Sequence, residues 1–135
     1  MSSATAHVDG GSRGNPGPAG YGVHITRDDG SIVELKESLG VATNNIAEYN
    51  GLLAALRWAV DAGVHSLRVK ADSELMIKQM LGVYRVKNAG LQPLYEEARR
   101  LAARIGRVSF EHVRREFNQD ADRLANEAMD EASPS

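Results

Sequence analysis

Four acidic residues occupy positions from which a folded chain could gather them for chemistry: Asp9, Glu48, Asp72 and Asp122. Asp9 follows a short β-prone run, residues 5–8, and Asp72 follows the apolar run 67–71. Glu48 sits near the start of an amphipathic segment and Asp122 in the first turn of the last one. Strand ends and helix starts are where open sheets collect ligands. Carboxylates brought close raise one another's pKa, so they do not all ionise unaided; divalent cations resolve the conflict. Oxygen donors in a chain with no cysteine and only four histidines favour Mg²⁺ or Mn²⁺ over Zn²⁺. Two such ions, roughly 3.5–4 Å apart, would activate water and stabilise the leaving oxygen of an in-line phosphodiester displacement. Each acid also has an ordinary structural reading. Asp9 could be a turn residue before Gly10-Gly11, Glu48 the far member of a capping box begun by Asn45, and Asp72 a helix cap. Asp122 resists such a reading because it shares a helix face with Ala125 and Met129, whereas Asp120 aligns with Arg123 and Glu127.

The elements that must position these acids follow from periodicity. Residues 5–8 predict a first strand ending at Asp9, followed by a loop dense in turn formers over 12–18. Residues 21–27 and 31–39 flank Asp28-Asp29-Gly30 and predict an antiparallel pair. From Asn45, apolar residues at Tyr49, Leu52, Leu53, Leu56, Ala59 and Val60 predict a helix that stops at Gly63. A buried strand over 67–71 leads through Asp72-Ser73 into a short helix reaching Met80 and Leu81. After an irregular stretch, 82–90, Leu94, Ala98, Leu101 and Ile105 mark a helix ending at Gly106, and 108–113 a last strand. Asn118 is placed to cap a final helix striped by Ala121, Leu124, Ala125 and Ala128, with 133–135 a frayed tail. Three strands in series, then alternating helices and strands, imply an α/β fold with a mixed sheet covered by helices. If strands one and four are neighbours, Asp9 and Asp72 emerge side by side.

Composition sets the bounds. At 42% hydrophobic and 25% charged, 135 residues suit one domain over 1–135, with an ordered core at about 4–130. The absence of cysteine excludes a disulfide framework and a thiolate metal site. A formal net charge of -2 gives no global attraction to a polyanion, so any such contact must be local. Aromatic residues at 5% do not make a base-stacking platform. The first residues lack the pattern of a signal peptide and no run is apolar enough for a membrane span, so the expected location is cytoplasmic and no membrane partner is expected.

The segment His7-Val8-Asp9-Gly10-Gly11-Ser12-Arg13-Gly14-Asn15-Pro16-Gly17-Pro18-Ala19-Gly20-Tyr21-Gly22 closely resembles the opening signature of the type 1 ribonucleases H. Thr43-Asn44-Asn45-Ile46-Ala47-Glu48 resembles the second motif of that family, Ala71-Asp72-Ser73 the third, and Asn118 to Ala125 the fourth, in the same order. The resemblance implies a ribonuclease H-like fold with a five-stranded mixed sheet, three antiparallel strands followed by parallel ones. It implies endonucleolytic hydrolysis of the RNA strand of RNA–DNA hybrids, leaving 5′-phosphate and 3′-hydroxyl ends. Asp9, Glu48, Asp72 and Asp122 match the four catalytic, metal-binding carboxylates, with Gly10 as a further metal contact, and Mg²⁺ is the expected ion, two per site with substrate, Mn²⁺ an alternative. Ser12, Arg13, Gly14, Asn15, Asn44 and Asn45 match the loop and side chains that grip the minor groove, where hybrids display 2′-hydroxyls that Asn can read as donor and acceptor. Thr43 matches a residue that holds a DNA-strand phosphate, and Arg85, Lys87 and Asn88 could extend that contact. A monomer acting on the hybrid is expected.

Departures from the family pattern are also legible. Residues 82–90 are too few for the basic protrusion many relatives carry. Where some relatives place a mobile His before the fourth motif, this chain has Arg114-Arg115-Glu116, leaving Glu116 and Asn118 as accessory candidates and His112 as a residue of the last strand. Glu74 stands where a Gln is common. Two other functions fit parts of the pattern: a module that binds hybrids without cutting them, and a junction- or integrase-type nuclease, which would not need the Asn readers.

Overall fold

The computed structural model describes residues 2–133. The chain runs β1 (Ser3–Ser12), β2 (Gly17–Arg27), β3 (Ile32–Ala42), α1 (Asn44–Asp61), β4 (Ser66–Ala71), α2 (Glu74–Met80), α3 (Gln92–Ile105), β5 (Arg107–His112), a 3-10 turn (Arg115–Phe117) and α4 (Gln119–Ala132). The strands form one mixed sheet in the order β3-β2-β1-β4-β5. The first three are antiparallel neighbours, and β1 and β5 each lie parallel to β4. The expected five-stranded arrangement is thus the observed one, with β1 at its centre.

Alternation along the strands separates two faces. Ala4, Ala6 and Val8 of β1, Val23 and Ile25 of β2, and Leu67 and Val69 of β4 are buried in one core with Tyr49, Leu52, Leu53 and Leu56 of α1. Each such large apolar side chain contributes roughly 1.5–3 kcal/mol by leaving water, so α1 is a firm platform for Glu48. α3 flanks α1, with Ala98, Leu101 and Ile105 joining the core and an Arg57–Glu97 ion pair at 2.7 Å on the rim. The opposite face is covered by α4, whose Ala121, Leu124, Ala125 and Ala128 are buried. Gly20 and Gly22 permit this approach: a Cβ on Gly20 would meet Ala128 Cβ at 2.5 Å, and one on Gly22 would meet Leu124 Cβ at 2.4 Å. Among the described residues, no helix is long and apolar enough to cross a membrane.

Several boundaries differ from the sequence reading. β1 does not end at Asp9; Gly10, Gly11 and Ser12 continue it by pairing with Tyr21, Gly20 and Ala19. Glycines and prolines disfavour a strand locally, but the antiparallel partner supplies the ladder, so Gly17-Pro18 also belongs to β2. β3 extends to Ala42, past a register shift opposite Ala19/Gly20. α1 begins at Asn44 and is capped by Thr43, whose Oγ1 accepts from Ile46 N. Asn45 therefore caps nothing and Glu48 belongs to no capping box. The cap of α2 is Ser73 rather than Asp72. Asn118 occupies the cap position of α4 without making the side-chain cap bond. At the chain end, Ser133 N bonds back to Met129 O and Asp130 O, whereas 134 and 135, the rest of the expected tail, lie outside the described residues.

Candidate active site

The parallel ladder of β1 and β4 ends at the pair Val8 and Ala71, so Asp9, still paired with Gly22 of β2, and Asp72, the first residue beyond β4, follow it at the same level. Gly10 lets α1 close on this point, because its missing Cβ would lie 2.6 Å from the Ala47 carbonyl and 2.7 Å from Glu48 N. Glu48 is thereby delivered beside the two strand acids, and α4 brings Asp122 from the other face. One open pocket is lined by Asp9, Gly10, Gly11, Ser12, Arg13, Asn44, Asn45, Glu48, Asp72, Ser73, Arg115, Asp122, Asn126 and Met129. All four carboxylates thus converge from β1, α1, the β4 end and α4.

The electrostatics show what the convergence costs. Burial, then the charge of Asp72 and the carboxyl of Asp122, push Asp9 up to about 8, against a hydrogen bond from Gly10 N to Asp9 Oδ1 at 2.8 Å that pulls it down. Burial pushes Glu48 up to about 7, with the Ser73 hydroxyl opposing and Asp72 adding to the rise. Such a site is short of positive charge.

Ser12, Asn15 and Asn44 are tied to one another by hydrogen bonds. Asn44 Oδ1 accepts from Ser12 N at 2.7 Å, and Asn15 Oδ1 accepts from Asn44 N at 3.1 Å. Both side-chain carbonyls are thus spent on the scaffold, which leaves both NH₂ groups available as donors. Ser12 Oγ also donates to the Gly14 carbonyl. Arg13 is committed to Asp130 and to the Asn126 carbonyl, so it clamps the β1–β2 loop onto α4. Lys87 and Asn88 do not line the pocket; they lie between α2 and α3, where Asn88 Oδ1 accepts from Gly90 N at 2.7 Å. Glu116 also lies off the pocket and pairs with Arg114 at 3.1 Å. His112 ends β5 and Glu74 pairs with Lys78 at 2.7 Å.

Arg115 was not among the residues singled out, yet it reaches the acids, with Nε 3.9 Å from Asp72 Oδ2 and Nη2 3.8 Å from Asp122 Oδ1. The signal was the Arg-Arg pair just before the fourth motif. A second acidic group lies apart: His24, Glu34 and Asp120 offer ligand atoms within 4.8 Å of one another. Arg123 Nη2 already sits 2.6 Å from Glu34 Oε2 and 3.8 Å from Asp120 Oδ1, so that group is an ion-paired network pinning α4 to the sheet.

Comparison with known proteins agrees with this geometry. A family model described as reverse transcriptase-like matches residues 7–128. A bifunctional protein of Mycobacterium tuberculosis is 50% identical over 130 residues, covering 95% of this chain and 36% of that protein, so this chain spans about a third of that relative's length. The solved N-terminal RNase H domain of a M. tuberculosis protein superposes with a TM-score of 0.94 at 47% identity, covering 98% of this chain and 96% of that one. Ribonuclease HI of Halobacterium salinarum is 43% identical over 128 residues, covering 94% of this chain and 64% of that protein. LC11-RNase H1, isolated from compost and solved in complex with an RNA/DNA hybrid, gives a TM-score of 0.89 at 40% identity, covering 96% and 98% of the two chains. With a family match over most of its length and relatives this similar, the chain belongs to the reverse transcriptase-like family and, within it, to the type 1 ribonucleases H.

Proposed function

We propose that this protein is an endonuclease that hydrolyses the RNA strand of RNA–DNA hybrids with the help of divalent metal ions, leaving 5′-phosphate and 3′-hydroxyl ends. The observation that carries the reading is the convergence of Asp9, Glu48, Asp72 and Asp122 on one pocket whose rim holds Asn44 and Asn45. The hybrid-bound relative supports the substrate. The donor set suits a hard cation, because four carboxylates supply the anionic oxygens of the lining and neither thiol nor imidazole is part of it. The four acids, with the Gly10 carbonyl, would hold Mg²⁺ or Mn²⁺, which when bound supply Lewis-acid stabilisation and a water of lowered pKa.

The chain's own residues do the rest. Asn44 and Asn15, their carbonyls engaged, offer N–H groups to 2′-hydroxyls in the minor groove of a hybrid. Thr43, whose Oγ1 accepts from Ile46 N, keeps its own hydroxyl hydrogen for a DNA-strand phosphate at the start of α1. Lys87 and Asn88 would meet the backbone further along. Arg115 is 80% exposed in its side chain and held only by two long ion pairs, so it is free to turn towards a phosphate. Removing such a donor to developing charge commonly costs 10²–10³-fold; at this loosely held position Arg115→Ala is expected to lower kcat by about 10–100-fold with a smaller change in KM. Steady-state kinetics on a hybrid check this, and an unchanged kcat would make Arg115 a surface residue.

The function itself is tested with end-labelled RNA–DNA hybrid and matching all-DNA and all-RNA duplexes, in Mg²⁺, Mn²⁺ or EDTA, with Asp9→Asn as control. Metal-dependent cutting of the hybrid's RNA strand, absent from the control, is the expected result. Tight hybrid binding without products under either metal would point instead to a non-cleaving module, and cutting of branched DNA to a junction-type nuclease.

A further inference from the structure

Asn118 is 1% exposed, one of two polar residues buried among the described residues, and it does not perform the helix-capping task its position suggests. Its Nδ2 donates to Val8 O at 2.9 Å and to Asp72 Oδ1 at 3.2 Å. Its Oδ1 is buried without a hydrogen-bond partner. Leaving a buried acceptor unpaired costs about 1–3 kcal/mol, so a residue kept only to fill space would not be an amide. The two N–H groups are what the site uses.

The place of those bonds gives them meaning. The β1–β4 ladder stops at Val8 and Ala71, and beyond it the strands part to present Asp9 and Asp72. Asn118 occupies the point of parting and spans it, taking the carbonyl that precedes Asp9 on one side and the carboxylate of Asp72 on the other. Its own backbone carbonyl accepts from Asp122 N at 3.0 Å, so the same residue also anchors the turn that carries the third acid. One oxygen of Asp72 is thus fixed, while Oδ2 is the atom that faces Arg115.

We infer that Asn118 is a positioning residue for the metal site: it sets the separation of Asp9 and Asp72 and turns Asp72 Oδ2 into the pocket. The inference rests on the metal-dependent nuclease reading. Outer partners that orient ligating carboxylates typically carry 10–100-fold of metal affinity, and a shift of that size in the Mg²⁺ concentration for half-maximal cleavage is expected in Asn118→Ala.

A purely structural Asn118 would lower the melting temperature but leave metal dependence unmoved. The experiment therefore measures, for wild type, Asn118→Ala, Asn118→Asp and the remote core variant Ile25→Val, the melting temperature in EDTA and its rise across a Mg²⁺ titration, beside cleavage. Asn118→Asp is the same size but has no N–H to give, so it should weaken the metal-induced rise at least as much as Ala. Should Asn118→Ala fail to fold, Asn118→Ser, which keeps one donor, takes its place. The expected result is a metal-induced rise displaced to higher Mg²⁺ in the Asn118 variants alone, with cleavage partly regained at high Mg²⁺. Variants that respond to Mg²⁺ as wild type does would overturn the assignment while leaving the nuclease intact. A wild type that neither responds to Mg²⁺ nor cuts would remove both.

Discussion

Asp9→Asn is expected to lower hybrid cleavage on the order of 10³-fold or more and, in the absence of divalent metal, to make the protein more stable at pH 8 than wild type. The two effects share a cause. Asp9 is pushed up to about 8 by burial and then by the charge of Asp72, and Glu48 is pushed up to about 7 by burial. A group whose folded pKa exceeds its unfolded value contributes stability that is complete below the unfolded value, near pH 4, and lost as pH rises through the folded one. Metal-free wild type should therefore lose stability, of order a few kcal/mol, between about pH 4 and 8. Asn at position 9 can keep the bond from Gly10 N and carries no charge to bury, so the variant's pH dependence should flatten. Mg²⁺ should stabilise wild type at pH 8 and do much less for the variant. Losses this large on removing one member of a catalytic group are common, because the members act as a unit. Thermal melts in EDTA and in Mg²⁺ from pH 5 to 8, alongside cleavage rates, provide the check. A variant less stable than wild type at pH 8 in EDTA would mean that the cluster is not short of positive charge.

How much of this was legible beforehand varies with the range of the interaction responsible. Asp9 beside Asp72 could be foreseen because two short apolar runs, each ending in an acid and one entering a helix, belong side by side in a parallel pair. The choice of cap at α1 could not: Thr43, Asn44 and Asn45 are all good caps, and what decides is that the Asn44 carbonyl is already taken by Ser12, 32 residues away. The extension of β1 through Gly10 and Gly11 was hidden because glycine carries no alternation to read; its pairing depends on β2. Asn118 looked like a cap for the same local reason, and only the approach of α4 to the end of β1 turns its amide inward. Arg115 became a site residue only when the 3-10 turn carried it over the pocket. Local chemistry announces the acids, whereas the residues that fix and complement them depend on tertiary contacts.

Gly10 offers the sharpest test of that last statement, because its contribution is a distance rather than a functional group. In the sequence it adjoins Asp9 and could pass for a turn residue, but in the fold it is the surface on which α1 begins. Adding a Cβ would place carbon 2.6 Å from Ala47 C and O and 2.7 Å from Glu48 N, all backbone atoms that cannot turn aside. The start of α1 must then move away from β1, and Glu48 moves with it, while the buried leucines of α1 resist. Overpacking of this kind typically costs about 1–3 kcal/mol, and a displacement near 1 Å in a site that acts by positioning costs about 10²-fold in rate. Gly10→Ala is therefore expected to lose both stability and most of its cleavage, with the loss of rate persisting at temperatures where the variant is fully folded. Gly11→Ala is the control: its Cβ would rest 3.5 Å from Asn44 Oδ1 and 3.6 Å from Met129 Cε, an ordinary contact, so its melting temperature should stay close to wild type. Circular dichroism melts and single-turnover cleavage at saturating Mg²⁺ separate the two terms. If Gly10→Ala melts and cuts like wild type, the close approach of β1 and α1 is not what delivers Glu48. If it melts low but cuts normally once folded, Glu48 has enough freedom to follow the strand, and the site tolerates more play than four half-buried carboxylates around one pocket would suggest.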